Sequence, residues 1–140
     1  MSKFLMSVLQ IDSQADKKAN LDKIGRFIDE AASHGARFVA MAENVHYCGP
    51  KDGVFASAET IPGPMSAFFA AKAKQYKIWL HCGSIGEVIP GESRLYNTTL
   101  LYNPRGELAA RYEKIHILCY YIPAKQPTQS FGAKCYLVPQ

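Results

Sequence analysis

An acid and a base stand out by where they fall in the chain. Glu43 closes the apolar run Arg37-Phe38-Val39-Ala40-Met41-Ala42 and precedes the loop Asn44-Val45-His46-Tyr47-Cys48-Gly49-Pro50. Lys114 closes Leu108-Ala109-Ala110-Arg111-Tyr112-Glu113. A carboxylate just past a strand sits where α/β sheets present functional groups, and it can carry protons. A fixed ammonium can stabilise developing negative charge. Position by itself also fits a plainer reading, in which Glu43 is a solvated loop carboxylate and Lys114 a solvated strand-end residue. Two further constellations are weaker. His46 with Cys48 and His81 with Cys82 are metal-ligating types without four ligands at workable spacing, so no metal site is expected. Gly83-Ser84-Ile85-Gly86 lacks the Gly-x-Gly-x-x-Gly pattern and a following helix, so no dinucleotide site is expected.

The settings of Glu43 and Lys114, with Tyr96-Asn97-Thr98 between them, resemble the nitrilase (carbon–nitrogen hydrolase) superfamily over roughly residues 3–118. Tyr112-Glu113-Lys114-Ile115-His116 matches that family's Tyr-x-Lys-x-His segment, whereas Ala42 stands where members often have Pro before the Glu. The resemblance implies that Glu43 is a general base, that Lys114 stabilises an oxyanion, and that a cysteine several tens of residues beyond the lysine is the nucleophile. Only 26 positions follow Lys114. The three groups make chemical sense together. A thiol is a weak nucleophile until a carboxylate takes its proton, and the ammonium then meets the charge of the tetrahedral intermediate. No metal or cofactor is needed. Cys119 lies five positions past Lys114, too close to reach a shared substrate atom without an unusual bend. Cys135, in Phe131-Gly132-Ala133-Lys134-Cys135-Tyr136, is similar to the family's Phe-Gly segment before Cys-Tyr, but the spacing is shorter and the following acid is missing. The family's second glutamate, expected between the lysine and the cysteine, has no counterpart. The catalytic assignment is therefore Glu43 and Lys114, with the nucleophile left open.

These residues need elements to hold them. Residues 4–11 read as a buried strand. A helix follows, with Asp16 as its N-cap, Leu21, Ile24, Phe27, Ile28 and Ala31 at helical spacing, and Gly35 at its end. Residues 37–42 form the next strand, which predicts a βαβ unit with parallel strands. Pro62-Gly63-Pro64 opens a second helix, with Met65, Phe68, Phe69 and Tyr76 on one side. Strands at 77–82 and 95–102 follow, then a turn at Asn103-Pro104-Arg105-Gly106 and an antiparallel return over 107–115. The expected fold class is α/β: a mixed sheet with covering helices, by resemblance the N-terminal part of a nitrilase-like αββα sandwich. On this reading Glu43 and Lys114 end their strands on one side of the sheet and should converge on one pocket.

Composition bounds the alternatives. With 140 residues and 48% hydrophobic content, the chain can bury one core. The net charge of +4 is scattered, without a basic run, and nucleic-acid binding is not expected. No apolar stretch approaches a bilayer span and no signal-peptide pattern precedes the first strand, so a cytoplasmic location is expected, with free thiols at Cys48, Cys82, Cys119 and Cys135. The charge pattern changes near position 119. Residues 119–140 hold two lysines, three prolines and no acid, and residues 135–138 are their one strand-like remnant. The domain reading is thus an incomplete carbon–nitrogen hydrolase domain over 1–118 and a divergent tail over 119–140. The resemblance implies hydrolysis of a small amide or nitrile, such as an ω-amide, in a homo-oligomer. The alternative is an inert, truncated form that associates with full-length relatives or binds small molecules. A missing half-sandwich should leave an apolar sheet face exposed.

Overall fold

The computed structural model describes residues 3–115. The first helix, α1 (Lys17–Ser33), starts where Asp16 turns an extended backbone into a helical one. The Asp16 carboxylate accepts the Ala19 N–H at 2.9 Å. That bond satisfies a donor left over by the first turn and contributes about 1 kcal/mol. Ile24, Ile28 and Ala31 are buried at helical spacing, with Leu21 and Phe27 packed at the margin. Gly35, at φ 85°, turns the chain out of the helix. The flanking strands β1 (Leu5–Leu9) and β2 (Ala36–Met41) pair in parallel, Val8 beside Ala40 and Leu9 beside Met41, as a βαβ unit requires.

A short helix, α2 (Lys51–Ser57), comes next and was not expected. Seven residues including Gly53 are too few to show a helical period. The longer α3 (Pro64–Tyr76) carries Pro64 in its first turn, and Ser66 Oγ accepts the Gly63 N–H at 2.8 Å. Glu59 Oε2 reaches the Met65 N–H at 2.7 Å, placing a carboxylate at the positive end of the helix. Phe69 is wholly buried, which contributes about 1.5–3 kcal/mol.

The strands β3 (Trp79–His81), β4 (Ile85–Val88), β5 (Leu95–Tyr102) and β6 (Leu108–Glu113) complete a mixed sheet. β3 pairs in parallel with β2, while β5 runs antiparallel to β3, β4 and β6. β3 and β4 lie in line along one edge of β5, with β6 along the other. The β5–β6 turn is closed by the Gly106 N–H donating to Asn103 O at 2.8 Å. β4 is a strand that the sequence pattern does not predict, since Gly86 and Glu87 break its apolar run.

The helices cover one face of the sheet, over Val39, Leu80, Leu100 and Tyr102. The opposite face presents Met6 and Val8 on β1, Phe38 and Ala40 on β2, Trp79 and His81 on β3, Leu101 on β5, and Ala110 and Tyr112 on β6. No described element covers it. This corrects the expectation that the first strand is buried. β1 is the sheet edge, and Val8, on the uncovered face, is 72% exposed. Cys119, Cys135, the strand-like remnant at 135–138 and the whole segment 119–140 lie outside the described residues, as does His116.

Candidate active site

Glu43 leaves β2 two residues after Met41, and the loop that follows is tied down from several sides. Asn44, at φ 55°, donates its N–H to Ser84 Oγ at 3.0 Å. Val45 O accepts from Ser13 Oγ at 2.9 Å, and His46 O accepts from the buried Asn20 Nδ2 at 2.9 Å. Gly83, at φ 63°, passes so close that a Cβ there would lie 1.8 Å from Ala42 O. Glycine is required at this crossing both for its conformation and for the approach. The carboxylate is thereby carried on a fixed backbone although its side chain is half exposed.

Lys114 reaches the same place from the end of β6, on the far side of β5 from β3. Its N–H donates to Asn97 O at 2.8 Å, continuing the β5–β6 ladder by one rung. Its Nζ lies 2.7 Å from Glu43 Oε1. Asn97 Nδ2 donates to the same oxygen at 2.7 Å. The expected convergence of the two charged groups is what the structure shows. A pair this exposed adds only about 0–1 kcal/mol of stability, so the fold does not depend on it.

Beneath this ladder β6 is held on the helix-facing side. Arg111 grips both oxygens of Glu87, at 2.8 and 2.9 Å, and also contacts Glu113 at 2.8 Å. Thr98 Oγ1 donates to Glu87 Oε2 at 2.7 Å. Glu87 is buried, so this pairing replaces the water it has lost. It also fixes the register that brings Lys114 opposite Asn97.

A cleft of about 330 Å³ opens at the charged pair, bordered by Glu43, His81, Ser84, Asn97, Tyr112 and Lys114 among others. That size suits a small substrate. Strand alternation separates His81 from Cys82. His81 borders the cleft, whereas Cys82 turns into the core, where burial pushes its thiol well above the usual range. A thiol held neutral is a poor nucleophile. Cys48 is exposed on the loop and does not border the cleft. His46 is buried, with Nε2 accepting the Gly86 N–H at 3.4 Å and Nδ1 without a partner. Burial, reinforced by the nearby Lys17 ammonium, lowers its pKa to about 4. Among the described residues no three His, Cys, Asp or Glu side chains are grouped to hold a metal.

Residues 5–135 match the carbon–nitrogen hydrolase family. The chain belongs to that family. This carbon–nitrogen hydrolase chain is 35% identical over 127 residues to an omega-amidase of Homo sapiens, covering 89% of itself and 45% of that protein. It is 35% identical over 130 residues to a chloroplastic omega-amidase of Arabidopsis thaliana, covering 89% of itself and 35% of the relative. Its fold is that of the nitrilase superfamily. It superposes on the Saccharomyces cerevisiae Nit3 structure with a TM-score of 0.68 at 26% identity, over 79% of this chain and 44% of that one. The chain thus spans less than half the length of the omega-amidases it matches.

Sequence reasoning named Glu43 and Lys114 but gave no role to Asn97, Ser84, Glu87 or Arg111. Asn97 stood in plain view inside Tyr96-Asn97-Thr98. What sequence lacked was the strand register that puts its side chain on the cleft.

Proposed function

We propose that this chain provides the acid–base and charge-stabilising part of a hydrolase site for small amides or nitriles, working with a cysteine nucleophile. The observation that carries this is the 2.7 Å meeting of Glu43 and Lys114 at the mouth of one small cleft. In this reading Glu43 takes the thiol proton as the thiolate attacks the amide carbon. Lys114 then meets the negative charge on the tetrahedral oxygen. The protonated Glu43 gives its proton to departing ammonia, leaving a thioester, and afterwards draws a proton from the water that hydrolyses it. The relatives named omega-amidase support an ω-amide as the substrate class. We place the domain boundary near 118, the protein in the cytoplasm and its working state as a homo-oligomer. Among the described residues no helix is long and apolar enough to cross a membrane.

A second reading is favoured by one observation: neither described cysteine borders the cleft. A chain without a correctly placed thiol would bind small amides but not turn them over. An ammonia-release assay over ω-amides and nitriles separates the two. Turnover lost in Glu43→Gln and in Cys135→Ala or Cys119→Ala supports the hydrolase. Little or no turnover in the isolated chain is the expected result if the second reading holds, because loss of a covalent nucleophile commonly costs several orders of magnitude in rate.

A further inference from the structure

Glu43 receives both of its hydrogen bonds on one oxygen. Lys114 Nζ and Asn97 Nδ2 each donate to Oε1 at 2.7 Å, and no described residue donates to Oε2. Asn97 serves the pair twice, because its carbonyl also accepts the Lys114 N–H at 2.8 Å. One β5 residue therefore ties together two groups that come from β2 and from beyond β6.

The amide itself is held at a cost. Asn97 Oδ1 is buried without a hydrogen-bond partner. Turning the amide over would set its oxygen against the Glu43 carboxylate, two acceptors facing each other, so the donating orientation is the one the site permits. An unsatisfied buried acceptor destabilises a fold, and such groups ask for an explanation in function.

From these contacts we infer that Asn97 is a positioning residue for Glu43: its amide shares Oε1 with Lys114, fixes the carboxylate plane, and reserves Oε2 for proton transfer. This rests on Glu43 acting in proton transfer. The hydrogen bond itself can be tested without turnover. An amide that donates to a carboxylate favours the charged form, so its loss makes the group easier to protonate. Lys114, His81 and Tyr112 are the other titratable side chains bordering the cleft, and all three remain in the variants.

The test is a carbon-13 NMR titration of the Glu43 carboxyl carbon in the full chain, assigned by its disappearance in Glu43→Gln. Asn97→Leu is expected to raise the titration midpoint by about one pH unit, the size of one hydrogen bond to a charged group. Asn97→Asp keeps the shape but replaces the donor with a like charge, and is expected to raise the midpoint further. Tyr96→Phe, one residue along the same strand, should leave it in place. If Asn97→Leu does not fold, the near-isosteric Asn97→Asp decides. An unmoved midpoint in the folded variants overturns the proposal. A shifted midpoint in a chain that releases no ammonia supports the positioning contact and removes only the hydrolase reading.

Discussion

At Glu43 and Lys114 the structure arranges opposite charges where they add little to stability, and at His46 it does the reverse. His46 is 2% exposed, its Nδ1 has no partner, and its pKa is lowered from 6.5 to about 4. Burial is the main cause, since an imidazolium there would lose its hydration, and the Lys17 ammonium adds to it. Below pH 6.5 the unfolded chain binds a proton that the folded chain refuses until about pH 4. Stability is therefore complete above pH 6.5 and declines as the pH falls from 6.5 to 4. The expected loss is roughly 3 kcal/mol at the lower end. Chemical denaturation of the parent and of His46→Gln between pH 4 and 7 measures it. The variant should show a flatter dependence over this window, and equal slopes would mean that His46 is not the group responsible.

At the level of elements, β6 depends on a buried carboxylate. Every β6 residue is exposed, so the strand buries little apolar surface by its own side chains. Its pairing with β5 and the grip of Arg111 on Glu87 hold it in register. Arg111→Ala should destabilise the chain by about 2–3 kcal/mol, because it strands the Glu87 charge beside a single Thr98 hydroxyl. Adding Glu87→Gln should restore part of that loss by removing the charge. A double-mutant cycle by urea unfolding measures the coupling. Additive effects would show that the two side chains are independent and that β6 is held by its backbone ladder.

At the scale of the whole molecule, the sheet face that no described element covers is the dominant fact. Met6 and Trp79 on it are 50% and 39% exposed, and Val8 more so. The cleft opens on this same side, through His81, Asn97 and Tyr112. Contiguous apolar surface of this kind marks an interaction site. The chain at micromolar concentration is expected to self-associate, as read by sedimentation velocity. Val8→Lys and Trp79→Lys should shift it toward monomer without lowering its thermal midpoint by more than a few degrees, since neither side chain fills the helix-covered core. A monomeric parent would remove the homo-oligomer proposal.

The local signals in the sequence were enough for most of the frame. Asp16 as a cap, the Ile24, Ile28 and Ala31 stripe, Pro64 at a helix start and the Asn103 to Gly106 turn each act through neighbours a few residues away, and all are found as read. Glu43 and Lys114 were visible too, through the segments around them. Tertiary structure decided what depends on distant pairing. α2 and β4 form against each other and the rest of the sheet, with Glu59 N–H donating to Gly86 O and Val88 N–H to Glu59 O, although neither element has a period of its own. β1 is exposed because no described element packs on its outer face, which its apolar sequence could not reveal. Asn97 faces Glu43 because β5 alternates and registers against β6, and a one-residue slip would turn it to the other side. Short-range preferences are written in neighbouring residues; which side of a sheet is covered, and which side chains meet across it, is set by pairings between segments tens of residues apart.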